Sequence, residues 1–310
     1  MPLIIDTDPA LGIWREGRPR DVDDGLAIVE AINTPELDLR GVTVTFGNAE
    51  LVDGLRVAQD LVGLKHSSVP VLAGAAGPMP TSGACSSNAA VDFMIDCLER
   101  TPMRIAAIGP LTNLGLLLTL RPDLAARIQE VVIVAGRTAG KRFYLGDVGP
   151  VRDFNFENDV RAAEVLLDTA VPVVMAGFEL SSRVTITEAD LVAIRNKGTA
   201  SGDYLHRNSL DWLRHWTRTF PADNGFHPWD SAAIAWFLRP ELYATEQRGF
   251  RIRAEPLTAA ERRNNPDSSP TFVSWLETST DFPGRRITYC TGFNDGAAQQ
   301  FIDAVIDGIW

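Results

Sequence analysis

Five aspartates, Asp6, Asp8, Asp21, Asp23 and Asp24, sit at the two ends of the stretch IIDTDPALGIWREGRPRDVDD. Two follow a short apolar run and three lead into a helix-like one, so a fold that joins the ends crowds carboxylates. Aspartate at a helix start caps free amides and complements the macrodipole, which accounts for Asp21 taken alone. All five together need more, because mutual repulsion is costly unless protons or a cation offset the charge. A hard divalent ion, calcium or magnesium, is the natural counter-charge for oxygen donors. Zinc fits less well: His66, His206, His215 and His227 show no paired ligand spacing, and Cys85, Cys97 and Cys290 are scattered.

The elements that must position these groups are legible in the apolar runs PLIID, LRGVTVTF, VPVLAG, RIAAIG, VVIVAG and VPVVMAG. Each is continuous rather than alternating, as strands covered on both faces are. Helix-like periodicity lies between them at Val22–Asn33, Leu51–Val62, Ala89–Leu98, Leu111–Leu118 and Val160–Leu167. Alternation of the two predicts an α/β fold with a mainly parallel central sheet flanked by helices. Ligands of such sheets bind beyond the carboxyl ends of the strands, so Asp6 to Asp8, Gly47 and Asn48, Gly109 and Pro110, and Gly136 should converge. Beyond residue 180 the pattern predicts helical and small β additions: helices near 186–196, 201–214, 230–237 and 294–306, and strands at GFRIRAE, TFVSWLE and RRITYCTGF. Residues 76–88 and 216–229 read as loops over the site, and ERRNNPDSSP as a surface turn.

A chain of 310 residues with 45% hydrophobic content supports a sizeable core, and the absence of an interdomain linker predicts one domain over 1–310. The net charge of −11 opposes a nucleic-acid polymer as partner, whose binding requires basic surface. No long uncharged apolar run and no basic-then-apolar start point to a membrane or an export signal. With an odd cysteine number added, the expectation is a reduced, cytoplasmic protein.

The blocks IIDTDPA…DVDDGLAI, VTVTFGN, AAIGPLTNLG, VVIVAG, DFNFENDVRAA and HPWDSAAIAW, in that order, resemble those of the inosine-uridine type nucleoside hydrolases. The resemblance covers most of the chain to about residue 240. It implies the nucleoside hydrolase (open Rossmann-like) fold, a small-molecule nucleoside substrate, Ca2+ as cofactor, a homodimer or homotetramer, and water-driven hydrolysis of the N-glycosidic bond. Carried over by position, Asp8, Asp24, Asp230 and the carbonyl of Ile108 match metal ligands, and Asp8 also the general base. Asp23, Asn48 and Asn155 match residues on the ribose hydroxyls, Asp147 and Asp153 the region of the 5′-hydroxyl, and Asp6 a support of the cluster. An oxocarbenium-like transition state suits a pocket dense in carboxylates.

Three departures bear on substrate choice. Trp229 stands where many members place a histidine that protonates the leaving base; purine-preferring members are similar in having tryptophan, so a purine or modified nucleoside is expected, stacked on Trp229. His227 is an alternative acid. Asp153 replaces a glutamate and shortens the reach to the sugar, and ALGIWREGRPRDV fills what is a tight PGxDD turn in the usual motif. Trp14, Arg15, Arg18 and Arg20 in that insertion either contact an unusual base or an anionic 5′ substituent, or form a solvated loop. Two alternative functions are a calcium-dependent ribonucleoside-binding protein with little catalysis and a magnesium-dependent phosphatase using DTD.

Overall fold

The structure, a computed structural model, describes residues 1–259 and 272–309, so the turn expected at ERRNNPDSSP lies outside the described residues. The chain opens with β1 (Pro2–Thr7), a hairpin of β2 (Trp14–Arg15) and β3 (Arg18–Pro19), and α1 (Asp23–Asn33). It continues through β4 (Asp38–Val44), α2 (Leu51–Leu64), β5 (Val71–Ala73), α3 (Ala89–Arg100), β6 (Met103–Ala107), α4 (Thr112–Leu120) and β7 (Ile128–Ile133). A middle section holds β8 (Arg137–Thr138), β9 (Phe143–Leu145), β10 (Val148–Val151), α5 (Phe154–Asn158), α6 (Val160–Leu167), β11 (Val173–Met175) and α7 (Phe178–Ser181). Then follow α8 (Glu188–Asn196), α9 (Ala200–Thr219), α10 (Ser231–Trp236), β12 (Tyr243–Pro256), β13 (Phe272–Ser279), β14 (Ile287–Phe293) and α11 (Ala297–Asp307).

Among the described residues one ten-stranded sheet runs β5-β4-β1-β6-β7-β11-β14-β12-β13-β8. From β5 to β14 every pairing is parallel, while β12 is antiparallel to both β14 and β13. The strands expected as C-terminal additions therefore extend the central sheet itself. The inner parallel strands β1, β6, β7 and β11 are largely buried on both faces. Ile5, Ala106, Val132 and Val174 pack into one layer, whereas Ile4, Ile105, Val131 and Val173 pack into the other. Side chains alternate with a period of two, so a strand covered on both sides must be apolar throughout.

The chain leaves β1 toward β4 on one side and returns to β6 on the other, which puts the topological switch between β1 and β6. The Asp6 carbonyl accepts from the amides of Ile108 (2.8 Å) and Gly109 (3.2 Å), pinning the two strand ends side by side there.

Two expectations need correction. The residues expected to begin a loop at 216 are still helical, because α9 reaches Thr219. Leu205, Trp212, Leu213 and Trp216 are buried along this helix, and that stripe carries it a turn beyond the expected end at 214. The insertion is a hairpin rather than an irregular loop. Glu16 and Gly17 at its tip both have positive φ, 54° and 75°, the turn whose twist matches a two-residue hairpin. Arg20 N–H to the Ile13 carbonyl (3.0 Å) continues the ladder, and β3 packs on α9. Among the described residues no helix is long and apolar enough to cross a membrane.

Candidate active site

The acidic floor is assembled from three chain segments at the switch point. Asp8 follows β1, Asp23 and Asp24 form the first turn of α1, and Asp230 stands at the start of α10. Neither Asp23 nor Asp24 caps α1 through its side chain; the helix start has no side-chain cap. Their charge is turned toward one another instead. Asp24 Oδ1 accepts from the Thr7 hydroxyl and from the Asp8 amide (3.1 Å), and Asp23 Oδ2 accepts from the Asp230 amide (3.2 Å). Asp8 Oδ2 accepts from the Asn48 amide at 2.6 Å.

Two oxygens of this cluster, Asp8 Oδ1 and Asp24 Oδ2, are buried without a hydrogen-bond donor. Burial pushes Asp8, Asp23 and Asp230 well above the usual carboxylate range, and neighbouring aspartates push further in the same direction. Asp24 is pushed up to about 7 by burial and by Asp23, and Asp21 to about 7 by burial and by Asp24, against hydrogen bonds with Asp23 and the Val22 amide. Oxygens of Asp23, Asp24 and Asp230 lie within 4.8 Å of one another, a group that can hold a metal ion. Orphaned buried carboxylate oxygens are the donor set a hard cation satisfies, so the residues fit such an ion. Asp24 and Asp230 of this group are expected ligands and Asp23 is the third member, while Asp8 gives Oδ2 to the amide of Asn48 and keeps Oδ1 without a donor.

Supporting residues are identifiable by what they touch. Asp6 accepts from Thr43 Oγ1 (2.7 Å) and Asn113 Nδ2 (2.8 Å), which places it behind the cluster, pushed up to about 7 by burial. Gly47 has a φ of +154°, and a Cβ there would lie 2.0 Å from Asp8 Oδ2. Glycine in VTVTFGN is thus what lets the backbone close around the Asp8 carboxylate. Asp159, from DFNFEND, accepts from the Met79 amide (2.8 Å), the Thr112 hydroxyl (2.6 Å) and the Ala162 amide (3.0 Å). It ties α6 to α4 and to the loop at 76–88, a structural role.

Above the floor opens a cavity of about 490 Å³. Asp21, Asp23, Asn48, Ile108, Asn155 and Asp230 line its acidic end, with Asp8 and Asp24 behind that surface at 1% and 0% exposure. Trp229, Phe178, Phe143, Trp212 and Trp216 form an aromatic side. Trp229 stacks on Phe178 (5.4 Å between centroids, 22°), Phe178 on Phe143 (4.1 Å, 8°), and the Arg137 guanidinium covers Phe143 at 3.8 Å. Arg15, Arg18, Arg20, Arg152 and His215, with Glu16 among them, make up a basic part of the lining.

The structure brings most of the expected site residues together, but not all. The Ile108 carbonyl faces the site and accepts from Asn155 Nδ2 at 2.7 Å, so Asn155 braces this carbonyl in addition to lining the cavity. Asp153 is 4% exposed, lines the cavity, and accepts from the Gly136 amide (2.9 Å) beside Arg137 (3.9 Å). Burial pushes it up to about 6 against the pull of Arg137. Asp147 is exposed between β9 and β10 and is not part of the cavity wall, because the tight turn there points outward. His227 is also outside the wall, 1% exposed, its Nδ1 at 2.6 Å from the Val184 carbonyl and its Nε2 at 3.2 Å from Asp223. Burial pulls its pKa down, and both ring nitrogens are already engaged, so it is placed as a prop beneath Trp229 and Trp216.

Sequence reasoning undervalued Asp21 and passed over Phe143, Phe178, Trp212, Trp216, His215 and Arg152. The tryptophans recur at helical spacing on α9, a pattern that reads as core until the opposing hairpin is known.

A family model described as inosine-uridine preferring nucleoside hydrolase matches residues 3–281. The pyrimidine-specific ribonucleoside hydrolase RihA of Salmonella typhi is 30% identical over 281 residues, 82% of this chain and 85% of the relative. Among solved structures, the purine-preferring ribonucleoside hydrolase from Gardnerella vaginalis superposes with a TM-score of 0.79 at 21% identity, covering 99% of this chain and 98% of that one. An inosine-guanosine nucleoside hydrolase does so with a TM-score of 0.75 at 21% identity over the same shares. At that identity the two structures speak for the fold.

Proposed function

This chain belongs to the inosine-uridine preferring nucleoside hydrolase family and hydrolyses the N-glycosidic bond of ribonucleosides, and on that premise we propose a calcium-dependent reaction with a stacked purine as leaving group. The observation that carries the metal is the pair of orphaned oxygens, Asp8 Oδ1 and Asp24 Oδ2, beside Asp23 and Asp230. Asp24, Asp230, Asp8 or Asp23, and the Ile108 carbonyl would hold the ion, which supplies Lewis-acid charge beside the sugar.

The chain's own groups carry the rest. Asp23, Asn48 and Asn155 grip ribose hydroxyls, fixing the ring against the acidic floor. Asp8, whose Oδ1 has no hydrogen-bond donor, takes the proton from the attacking water as general base. The surrounding carboxylates stabilise positive charge as it develops on the sugar. Trp229, backed by Phe178, stacks the departing base, and an indole face favours the protonated form of a purine. Asp153 sits with the 5′ end. The binding-protein and phosphatase alternatives are not favoured, since family membership and the complete acidic set both speak for hydrolysis.

The identity with a pyrimidine-specific relative supports the competing base preference. One panel separates them: ribose release from inosine, guanosine, uridine and cytidine with calcium, after chelation, and after calcium or magnesium is restored. The expected result is a higher kcat/KM for inosine, loss on chelation and recovery with calcium. Higher kcat/KM for uridine would transfer the base preference, and activity surviving chelation would remove the metal. A homodimer or homotetramer, a cytoplasmic location and a single hydrolase domain are proposed with it, on the family likeness; sedimentation velocity measures the first.

A further inference from the structure

The acidic floor explains one end of the cavity and leaves the basic wall unused. In a chain of net charge −11 with 29 lysines and arginines, three arginines fall within six residues, and all three reach this cavity. Arg15 and Arg18 are direct partners across the two-strand hairpin, so their side chains share a face. Like charges directly opposite are unfavourable in a ladder, and a four-residue hairpin has little stability of its own to oppose that. Among the described residues, Glu16 stands 3.9 Å from Arg15 and 2.7 Å from Arg20. His215, stacked on Trp212 at 5.7 Å, lines the same cavity, and its pKa is pulled down by burial and then by Arg18, Arg218 and Arg20.

We propose that the cavity selects anionic ribonucleosides, bearing a phosphate on the 5′ carbon or a carboxylate on the base, with Arg15, Arg18 and Arg20 holding the anion. This rests on the hydrolase reading of the acidic floor and names the substrate class of that same site. Guanidinium groups match both anions with paired N–H donors, and an anion between Arg15 and Arg18 converts their repulsion into a shared attraction. The placement is economical in topology. The hairpin is the segment joining Asp8 to Asp23, so the substituent is gripped by the chain that leads directly into the ribose site.

The test compares uridine with uridine 5′-monophosphate and with 6-carboxyuridine, in the calcium-loaded protein, by kcat/KM for ribosyl-bond cleavage and by calorimetric affinity. The readout is the anionic-to-neutral ratio within each protein. Wild type should favour one of the two anions at least tenfold, and which one identifies the source of the charge. Arg15→Ala/Arg18→Ala should lower that ratio at least tenfold, and 0.5 M salt should compress it in wild type. Glu16→Gln should raise it, an increase that general damage to the hairpin would not produce. A wild-type ratio at or below one, or a ratio unchanged in the arginine variant, overturns the proposal while leaving hydrolysis of neutral nucleosides intact. If neither these three compounds nor inosine is cleaved, the hydrolase reading is what fails, and the calorimetric ratios still decide the anion question.

Discussion

Gly47→Ala is the most economical probe of the acidic floor, because it adds one methyl group and no charge. A Cβ at position 47 would sit 2.0 Å from Asp8 Oδ2 and 2.8 Å from its Cγ, so the carboxylate must move. Movement breaks the 2.6 Å bond from the Asn48 amide, a charge-assisted hydrogen bond worth about 1.5–3 kcal/mol. The φ of +154° adds backbone strain of about 1–3 kcal/mol for any L side chain. If the hydrogen-bond loss alone reaches the transition state, kcat/KM falls about 10- to 150-fold, at 1.4 kcal/mol per factor of ten. Gly198→Ala is the matched control. Its φ of +68° carries comparable strain, but nothing lies within 4 Å of the added carbon. Both variants should lose thermal stability; only Gly47→Ala should lose turnover and calcium affinity, read by ribose release and by calorimetry. Wild-type calcium affinity and a kcat/KM within about threefold of wild type would show that the Asp8 cradle does not matter to the reaction.

Removing the metal should leave a pH signature. Asp6, Asp21 and Asp24 titrate at about 7 in the folded chain and near the ordinary value of about 3.9 when unfolded, so between these limits the folded state binds more protons. Stability of the chelated protein must then fall as pH rises from 4 to 8, and the gain in Tm on adding calcium should be larger at pH 8 than at pH 5; equal gains would contradict it. For His227→Ala the geometry predicts a lower Tm, with kcat/KM for inosine and for 4-nitrophenyl riboside falling by the same factor. A loss confined to inosine would restore His227 as the acid. Arg137 is 2% exposed, clamped by Phe143 at 3.8 Å and Trp275 at 4.2 Å, with Asp153 at 3.9 Å. Arg137→Met should cost about 3–5 kcal/mol by stranding the Asp153 charge, and Asp153→Asn in the same chain should recover part of it. Additive losses in denaturant unfolding would mean the two are not coupled.

The acidic floor was legible in the sequence because its reason is electrostatic and general: crowded carboxylates need a counter-charge wherever they are. The parallel sheet was legible for a similar reason, since runs such as those at Ile4 and Ile5 or Val131 and Val132 must be apolar on both faces. What escaped depended on tertiary placement. Asp147 occupies a position that the family motif marks and His227 stands two residues before another, yet a turn exposes the first, and the Trp216 and Trp229 rings and the Val184 carbonyl enclose the second. The hold of the Asn48 backbone amide on Asp8 Oδ2 is likewise a contact that no side-chain pattern announces. Glu16 at positive φ is a poor sequence signal for a hairpin turn, so the insertion read as a loop.

That hairpin has a consequence for how the site can change. It spans the gap between Asp8 and Asp23, so its foot is fixed at both ends by the acidic floor, while Gly12 packs tightly against Asn208 of α9. Its tip is under no such constraint: a Cβ on Gly17 meets nothing within 4 Å. Substitutions at the tip therefore alter the basic wall without touching the carboxylates, whereas insertions or deletions at the foot must displace Asp21 and the start of α1. Substrate choice and bond cleavage are thus separable by residue type within the hairpin and inseparable by its length. A chain in which Arg15, Arg18 and Arg20 are replaced should keep its calcium affinity, and one shortened between Ala10 and Val22 should lose it.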